Sequence, residues 1–466
     1  MEKLMELISK ISEVIWGLPM MLLLLGGGLF LTFRLGFFQF KYFPHIIKQT
    51  FGKILSKPDS GEGTLTPFQA ATSALASTVG AANIIGVPVA IAFGGPGAIF
   101  WMWLVSLIGM ASKYSEVVLG VKYREKNKKG EWVGGPMYYI EKGLGWKPVA
   151  LFFAFALMLE IVASTMVQSN SLSTTIKGAF NIPPEVTGLI VMFLVGIIVY
   201  GGISRIGQVA EKFVPFMVGV YIIGSLIIVF SNISVIPSVF TMIFKHAFTP
   251  ISAAGGFAGA GVAAAIRWGL ARGTYSNEAG MGTAPIAHAT AKIDHPAKQG
   301  FWGIFEVIVD TLIICTITAI VILGTGVWKE VKREQASSMV TEAWSQVFGS
   351  QLAGTFMAVS LFFFVLSTVV IIIFYGEKQA EYLFGTTFSK VMRFIYVVAI
   401  FIGAIGGLKF VWQFLDILLA LIVVPNVLAL ILLNNDVREV TNDYFTRIYK
   451  KNRSSSQSNS SEKQAE

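Results

Sequence analysis

Charged residues and cysteine are both scarce in this 466-residue chain. Only 14% of its residues are charged, against about 25% in an average soluble domain, and 54% are hydrophobic. The single cysteine, Cys315, excludes an internal disulfide. The sequence has no His–Glu metal motif, no Ser–His–Asp set and no glycine-rich phosphate loop with its Lys-Ser or Lys-Thr. We therefore expect neither an enzyme nor a cofactor. Any energy that the protein uses is expected to come from an ion gradient rather than from a nucleotide.

Apolar runs long enough to cross a bilayer, about 20 residues each, recur along almost the whole chain. Their uninterrupted apolar stretches lack the alternation of a barrel strand, so all are interpreted as helices. The sequence predicts an all-α integral membrane protein with about eleven spans. The number could differ by one, because the region around residues 235–265 is a weak candidate. The predicted spans are residues 14–35, 66–93, 96–120, 148–175, 185–203, 212–230, 252–287, 300–325, 351–376, 393–408 and 411–433.

Basic residues are divided unevenly between the two sides of these spans. One set of loops, together with Arg34 and the C-terminal tail, holds 25 of the 36 Lys and Arg residues, whereas the opposite set holds eight. Cytoplasmic loops carry such an excess, so we expect a plasma-membrane protein with its N-terminus outside and its C-terminus in the cytoplasm. The net charge of +9 then reflects orientation rather than nucleic-acid binding. The tail from about Asn452 is predicted to be disordered.

Two of the predicted spans are interrupted in their middle by small and polar residues. In each, an asparagine is followed by a glycine and a proline: Asn83, Gly86 and Pro88 in the second span, and Asn277, Gly280 and Pro285 in the seventh. Small residues can also serve close helix packing. The offset of five spans, however, means that the second copy enters the membrane from the opposite side, as in the inverted repeats of secondary transporters.

Interrupted helices have a chemistry that favours one class of ligand. Where a helix unwinds, free N–H groups and the positive dipole end suit a carboxylate, and free carbonyls suit a sodium ion. An amino acid and a small cation are therefore expected together at these breaks.

Several motifs resemble the alanine or glycine:cation symporters. Residues 94–110, which begin Gly94-Gly95-Pro96-Gly97, look like the signature of that family, and residues 272–280 look like its second hallmark. Shorter stretches at 166–171 and 367–377 are also similar. The resemblance covers nearly the whole chain except the tail. It implies sodium- or proton-coupled uptake of small neutral amino acids and a fold similar to the bacterial leucine transporter.

That fold implies a 5+5 inverted repeat with one extra N-terminal helix and two unwound helices. The divisions expected from it are an extra helix at 1–35, a cytoplasmic loop at 36–65, a first repeat at 66–230, a second repeat at 231–433 and a cytoplasmic, partly disordered tail at 434–466.

The resemblance also implies roles for residues at the first break. The N–H groups of Gly80 and Ala82 would meet the substrate carboxylate, with Ala82 standing where the leucine transporter has a glycine. Thr78 would line the substrate site, and its carbonyl would contact one cation together with Asn83. A second sodium site would be formed by two carbonyls and two hydroxyls, those of Ala76, Val79, Ser367 and Thr368.

Candidates for the other half of the substrate site lie in the fourth and seventh spans. They are Gln168, Thr274, Ser276 and Asn277. Gln168 and Asn170 are two residues apart and cannot share one helix face, so we prefer Gln168 as the ligand contact. An interhelical hydrogen bond without ligand is the alternative for either amide.

Ionisable residues inside the predicted spans are the remaining polar feature. The carboxylates are Glu160, Glu278, Glu306, Asp310 and Asp416, and the cations are Lys113, Arg267 and Arg272. We expect these carboxylates to pair with these cations, and Glu278 with Arg272 in particular, because an unpaired charge there is costly. Glu306 and Asp310, four residues apart, share a helix face and leave a proton path open. No chemical role is expected for His288 or His295.

Together these observations predict a secondary active symporter that takes up alanine, glycine or similar amino acids with sodium by alternating access. A proton-coupled transporter stays open, because Ser367 and Thr368 favour sodium while the buried carboxylates leave room for protons. A passive channel would need a continuous polar stripe, and a receptor would need an attached signalling domain. The expected partners are the amino acid, sodium and the lipid bilayer, with no nucleic acid and no obligate protein partner.

Overall fold

The computed structural model describes residues 14–54, 61–80, 82–249, 261–406 and 409–450, which are almost entirely helical. The α-helices are α1 (Leu18–Arg34), α2 (Phe38–Lys41), α3 (Phe43–Gln49), α4 (Pro67–Thr78), α5 (Val87–Gly94), α6 (Ala98–Lys122), α7 (Pro136–Leu144), α8 (Lys147–Phe180), α9 (Pro184–Val199), α10 (Gly202–Ser231), α11 (Ile236–Phe248), α12 (Val262–Asn277), α13 (Ala284–His288), α14 (Pro296–Val307), α15 (Thr316–Thr325), α16 (Met339–Phe348), α17 (Ser350–Phe384), α18 (Thr386–Ile405), α19 (Lys409–Leu432) and α20 (Asn434–Asp443).

Shorter elements connect or extend these helices. The π-helical turns are Ala82–Gly86, Ile308–Cys315 and Tyr444–Tyr449, and the 3-10 turns are Phe51–Lys53, Ile233–Val235, Val327–Lys329 and Arg333–Ser338. The strands β1 (Glu125–Lys126) and β2 (Trp132–Val133) pair in antiparallel register as one small hairpin between α6 and α7.

Seven helical segments in the described part of the chain are long and apolar enough to cross a membrane. They are Ala98–Lys122, Lys147–Phe180, Gly202–Ser231, Pro296–Thr325, Ser350–Phe384, Thr386–Ile405 and Phe414–Leu432. An eighth results when α4 and residues 82–94 count as one span bent by 44°, and three shorter apolar helices remain. The predicted all-helical membrane protein is confirmed, whereas the count of eleven spans stays a prediction.

Large apolar side chains on the outer surface fit this interpretation. Phe193, Ile223 and Phe230 are each more than 60% exposed. A patch of such side chains is unfavourable in water but is the ordinary surface of a helix in lipid. Other exposed apolar residues continue this outer surface on α9, α10 and α18.

The first interrupted helix begins and ends for clear local reasons. Thr66 caps α4 reciprocally with Gln69: the Gln69 N–H donates to the Thr66 hydroxyl at 3.1 Å, and the Thr66 N–H donates to the Gln69 side chain at 3.0 Å. The helix stops at Thr78 because Val79 is extended, with φ −77° and ψ 99°. Helical structure resumes in the π-helical turn at Ala82–Gly86, and Pro88 lies at the start of α5, where no N–H partner is required.

The second interruption follows α12. Glu278 adopts a left-handed conformation with φ 55°, and Gly282 has φ 78°, so residues 278–283 cannot continue the helix. A Cβ atom on Gly282 would lie 2.5 Å from Cγ of Pro136. Both predicted breaks are therefore present. Residues 250–260, where the seventh predicted span begins, lie outside the described residues.

Long helices surround the two breaks. The helix α8 packs along α17, α18 and α19, and α6 packs against α12, α14 and α1. The half-helix α4 lies against α10 and α17, while α5 lies against α12. This arrangement encloses the two interrupted helices between α6 on one side and α8 with α17 on the other.

The structure adds detail to two predicted divisions and to the region where the number of spans was left open. The segment 36–65, expected to be a loop, contains α2 and α3, and its end is fixed by a 2.7 Å bond from the Lys292 N–H to the Leu65 carbonyl. The start of the expected tail forms α20, and Tyr444 just beyond it is 1% exposed. The region where the span count was open contains α11, which packs on α6. The predicted disorder beyond residue 450 lies outside the described residues.

Candidate substrate and cation site

A small cavity of about 50 Å³ lies where both interrupted helices meet α8 and α17. Five of the residues predicted from the sequence line it: Thr78, Gly80, Ala82, Gln168 and Thr368. Further lining residues that the sequence analysis did not assign to the site are Ser77, Glu160, Tyr275, Glu278 and Thr283. The cavity wall is thus part backbone and hydroxyl, part carboxylate.

A larger cavity of about 570 Å³ adjoins the small one and shares Ala82, Gln168 and Tyr275 with it. It reaches Ser338 and Thr341, between α15 and α17. We call this end of the molecule, marked by Ser338 and Thr341, the open face.

The other end of α17 is sealed by polar contacts and is called the closed face, defined by Arg124, Glu131, Lys378 and Glu381. A helix of 35 residues is about 50 Å long, so the two faces lie far apart. The Lys378 ammonium lies 3.1 Å from Glu131 and 2.8 Å from Glu381. The Arg124 guanidinium donates to the carbonyls of Ala289 and Ala291, just after α13. These bonds connect the hairpin, α17 and the segment after the second break.

The carboxylate of Glu131 shows how the closed face is charged. Partial burial alone would raise its pKa, but the Lys378 ammonium and the Asn127 amide outweigh burial and hold the pKa below its ordinary value. Glu131 is therefore ionised at neutral pH, and its bond to Lys378 is an ion pair.

Asn83 of the first break belongs to a buried cluster around Asp310. Its side-chain N–H donates to the Asp310 carboxylate at 2.7 Å, and the hydroxyls of Ser276 and Thr311 donate to the same group at 2.6 and 2.7 Å. Asp310 thus connects the first break to the end of α12, and the sequence analysis missed this connection.

The predicted pairing of Asp310 with Lys113, Arg267 or Arg272 is wrong. Asp310 is bonded to neutral donors instead. In the structure Asp310 lies in the π-helical turn Ile308–Cys315, beside hydrogen-bond donors from the first break and from α12.

Gly80 and Asn83 are hydrogen-bonded to each other in this conformation. The Gly80 N–H, predicted to meet the substrate carboxylate, donates to Oδ1 of Asn83 at 2.9 Å. The same oxygen is the atom that Asn83 would offer to a cation. The predicted role of Gly80 therefore requires this hydrogen bond to open, opening it would also leave Oδ1 of Asn83 fully available, and both roles stay predictions.

The predicted second sodium site is partly assembled. The Thr368 hydroxyl donates to the Ala76 carbonyl at 2.9 Å, across the contact between α17 and α4. The Ser367 hydroxyl instead donates to Phe364 in its own helix at 2.9 Å, although Ser367 and Ala76 line one further small cavity. Val79 is buried beside them in extended conformation.

Thr274 and Asn277, two predicted substrate contacts, do not line the small cavity in this structure. Thr274 faces a different small cavity with Trp16 and Met20 at the start of α1. The Asn277 amide donates at 3.3 Å to the hydroxyls of Ser106 and Thr311. Successive helical residues are about 100° apart, so Tyr275 faces the cavity in their place.

Ser276 also lies outside the cavity lining and belongs to the Asp310 cluster, beside the predicted cation ligand Asn83. The structure thus places Ser276 next to Asn83 and Asp310 rather than at the cavity, and its role as a substrate contact stays a prediction.

Glu278 does not pair with Arg272, contrary to expectation. Its carboxylate accepts hydrogen bonds from Ser77 at 3.1 Å and Thr283 at 2.6 Å. The Arg272 guanidinium lies 5.2 Å from the ring centre of Trp268. Six residues of helix turn through about 600°, which puts the two side chains on different faces. Glu278 thereby connects the first interrupted helix to the second.

A second buried charged cluster lies on α6 and α14. The Lys113 ammonium is 3.7 Å from Glu306, which confirms the predicted pairing for that carboxylate. His288, for which no role was expected, is buried and forms a hydrogen bond to Glu306, while the Gln299 amide donates to its other ring nitrogen at 2.7 Å. His295 bonds to Asp443 at 3.0 Å near the closed face.

Comparison with known proteins places this arrangement in a family. The sodium:alanine symporter family matches residues 1–459. The chain belongs to this family. The family and its named relatives are transporters, so the expectation that the chain is no enzyme is confirmed, as are its predicted transport and membrane character.

Individual relatives and a solved structure support the same placement. The chain is 53% identical over 448 residues to the uncharacterized transporter YflA of Bacillus subtilis, which covers 96% of this chain and 94% of that protein. It is 39% identical over 439 residues to the sodium/alanine symporter AgcS of Methanococcus maripaludis, covering 93% and 95%. The structure of MhsT in complex with L-phenylalanine matches with a TM-score of 0.62 at 12% identity, covering 84% of this chain and 95% of that one, so the two share the leucine-transporter fold.

One buried carboxylate of this family member had no place in the sequence analysis. Glu116 of α6 accepts hydrogen bonds from the Gly282 N–H at 2.9 Å and from Asn426 at 2.6 Å. It thereby holds the backbone of the second break. Its proximity to Lys113, three residues earlier on the same helix, was the signal in the sequence.

Proposed function

We propose that this chain is a symporter that moves alanine, glycine or a similar small neutral amino acid together with sodium by alternating access. The observation that carries the proposal is the small cavity at which both interrupted helices meet. It adjoins a wide cavity toward the open face, while the closed face is sealed by ion pairs. A site reached from one side at a time is the basic requirement for coupled transport.

The closed face is the cytoplasmic side in this proposal. It carries Arg124, Lys126 and Lys378, which belong to the basic set of loops, and cytoplasmic loops are enriched in such residues. The N-terminus then lies outside and the C-terminus inside. The two halves that rock against each other are the predicted repeats, residues 66–230 and 231–433.

The size of the cavity supports a small substrate. About 50 Å³ is available between the apolar side chains of Ile161, Met281, Ile372 and Leu419. A methyl group or a hydrogen as side chain suits that space, and 39% identity to a protein named sodium/alanine symporter supports alanine.

The Gly80–Asn83 hydrogen bond offers a mechanism for coupling. Opening it frees the Gly80 N–H for the substrate carboxylate and, in the same event, frees Oδ1 of Asn83 for sodium. Each ligand then lowers the cost of the opening for the other, so the two bind more tightly together than alone. The Asp310 carboxylate beside Asn83 would place a negative charge next to that sodium ion.

Proton coupling is a second candidate, favoured by the buried carboxylates Glu160 and Asp310, which could bind a proton in place of sodium. The two candidates differ in the gradient that drives uptake.

The deciding experiment is uptake of labelled alanine into liposomes that contain the purified protein. We expect accumulation with an inward sodium gradient and little with a proton gradient alone; a membrane potential adds about 2.3 kcal/mol per charge per 100 mV. Asn83→Ala and Thr368→Ala should weaken the dependence on sodium, with the exposed Glu185→Gln as control. Uptake that ignores both gradients would disprove symport, and uptake with the proton gradient alone would favour the second candidate.

A further inference from the structure

One wall of the small cavity is formed by a single face of α8. Glu160, Ser164 and Gln168 follow one another at intervals of four residues and all line the cavity. Such spacing places side chains on one helix face. Glu160 is 5% exposed and accepts a hydrogen bond from the Ser164 hydroxyl.

The charge of this wall is not balanced by a basic side chain. Among the described residues that line the cavity there are two carboxylates, Glu160 and Glu278, and no Lys, Arg or His. Of the nearby cations, Arg272 lies over Trp268, and Lys113 is the partner of Glu306. A buried carboxylate without a positive partner is costly, so a bound proton or a positively charged group of a transported ligand would neutralise it.

Hydrogen-bonding capacity points to the kind of cation. The side-chain oxygen of Gln168 is buried and has no hydrogen-bond partner among the described residues. Glu160 accepts its hydrogen bond from a hydroxyl of its own helix, while Glu278 is bonded to hydroxyls of both interrupted helices. The wall therefore offers free acceptors and needs a donor. An ammonium group has three N–H donors and no acceptor, which matches this wall.

We propose that the carboxylate of Glu160, together with the side-chain oxygen of Gln168, binds the amino group of the transported amino acid. This inference rests on the proposed function. The carboxyl and amino groups of an α-amino acid are bonded to the same carbon and point in different directions. In so narrow a cavity, the carboxylate then turns to the backbone of the first break and the ammonium group to α8.

The proposal gives the site a basis for selecting its substrate. An amino acid satisfies both walls, whereas a hydroxy acid of the same shape leaves the Glu160 charge unpaired. Discrimination between L-alanine and L-lactate should therefore depend on this one carboxylate.

The test compares L-alanine and L-lactate on Glu160→Gln in proteoliposomes at saturating sodium. We expect alanine affinity to fall about 30-fold or more, as for the loss of one partner of a buried charged pair, with sodium half-saturation within about threefold of wild type. Lactate, which should not compete with alanine in the wild-type protein, should compete in the variant. The matched control is the exposed Glu185→Gln, at the start of α9, which should change neither value.

Two further variants separate this role from a structural one. Ser164→Ala keeps the Glu160 charge and removes its hydrogen bond, so a loss of only a few-fold is expected. Glu160→Asp, which keeps the charge on a shorter side chain, should restore rejection of lactate even where Glu160→Gln folds poorly by size-exclusion chromatography.

Two results would overturn the proposal. Wild-type alanine affinity in Glu160→Gln with a raised sodium half-saturation would assign the carboxylate to the cation, and rejection of lactate unchanged in Glu160→Gln would remove its role in selection. Failure of the wild-type protein to transport any amino acid would instead disprove the proposed function itself.

Discussion

The two interrupted helices share a sequence pattern but differ in what holds them open. At the first break, side chains satisfy the free backbone group: the Gly80 N–H donates to Asn83, and the Asn83 amide donates to the Asp310 carboxylate of another helix. At the second break, the backbone is held by left-handed residues and by Glu116, which accepts from the Gly282 N–H. The first break depends on side chains that can exchange partners, and the second on backbone geometry that cannot.

This difference suggests a division of labour between the breaks. A ligand can replace the internal partners of the first break, because an N–H and an amide oxygen are released by opening one hydrogen bond. The second break provides a fixed support and projects Glu278 toward Ser77 of the first interrupted helix. The proposed binding of substrate and sodium is thus expected to reorganise the first break far more than the second.

The largest effect is expected for Asp310→Asn, which tests whether the first break depends on charge. Removing the negative charge beside Asn83 should lower sodium-driven uptake by about 100-fold or more, because one side of a buried charged site is lost. Initial uptake rates measured against sodium concentration check this result. Thr311→Val keeps the carboxylate and removes one neutral donor, so it should lose much less. Unchanged sodium activation in Asp310→Asn would refute the role of the first break in cation binding.

A glycine pair provides a direct comparison of the two breaks. Gly282→Ala should destabilise the protein by about 2 kcal/mol or more, because φ is 78° and the new Cβ would lie 2.5 Å from Pro136. Gly86→Ala should be neutral or stabilising by up to about 1 kcal/mol, since its φ of −68° suits any residue and no atom lies within 4 Å of the added Cβ. Thermal unfolding of the purified protein in detergent measures both. Equal Tm values for the two variants would contradict a difference in rigidity between the breaks.

The hydrogen bond between the breaks is the next target. Ser77→Ala removes one of the two hydroxyls on Glu278 and should reduce uptake about tenfold or somewhat more, as expected for one hydrogen bond to a charged group. Ser73→Ala, one turn earlier in α4, removes a buried hydroxyl that has no partner among the described residues and should have little effect. If the two variants behave alike in the uptake assay, the link through Glu278 has no functional weight.

The smallest effect is expected for pH, and it tests whether the closed face contributes to the pH dependence of uptake. The pKa of Glu131 is held low by Lys378 and Asn127 despite burial, and that of Glu141 is lowered by the Tyr382 hydroxyl and by Lys147. A carboxylate with a depressed pKa stabilises the folded arrangement above its ordinary pKa and loses this contribution only as pH falls through the depressed value. Between pH 8 and pH 6 these contacts should not change.

A pH response of uptake in that range would then not come from Glu131 or Glu141. Glu131→Gln is the check: its uptake should follow pH between 6 and 8 in the same way as that of the wild-type protein. A different slope would show that the closed face contributes.

The sequence was sufficient to predict the breaks, because asparagine, glycine and proline rarely occur together inside an apolar span that continues as a regular helix. It also placed Thr78, Gly80, Ala82, Gln168 and Thr368 near one another, through the resemblance to the family. Helix faces were harder to predict. In a helix buried on all sides, hydrophobic periodicity does not mark the face that lines a cavity, so the prediction named Thr274, whereas Tyr275 lines the small cavity.

Carboxylates were the other source of error. Spacing along an ideal helix predicted one face and one kind of partner for Asp310 and Glu306, but Asp310 accepts hydrogen bonds from Asn83 and Ser276, whereas Glu306 is bonded to His288. Glu278 was predicted to pair with Arg272 because an unpaired buried charge is costly, whereas two hydroxyl groups, those of Ser77 and Thr283, donate hydrogen bonds to its carboxylate. Such pairings depend on the three-dimensional path of the break, which local sequence does not encode.

The lone cysteine has a practical consequence for experiments on this protein. Cys315 is 2% exposed, with its sulfur 3.2 Å from the Ser276 hydroxyl and 3.3 Å from the Asn83 amide. Bulky maleimide probes cannot reach a thiol in that position, so paired labels for spectroscopic distance measurements can be introduced into the native chain without first replacing it. A small mercurial reagent, in contrast, would react only when the contact of Cys315 with Ser276 and Asn83 opens. The rate of that reaction would therefore measure how often the contact opens.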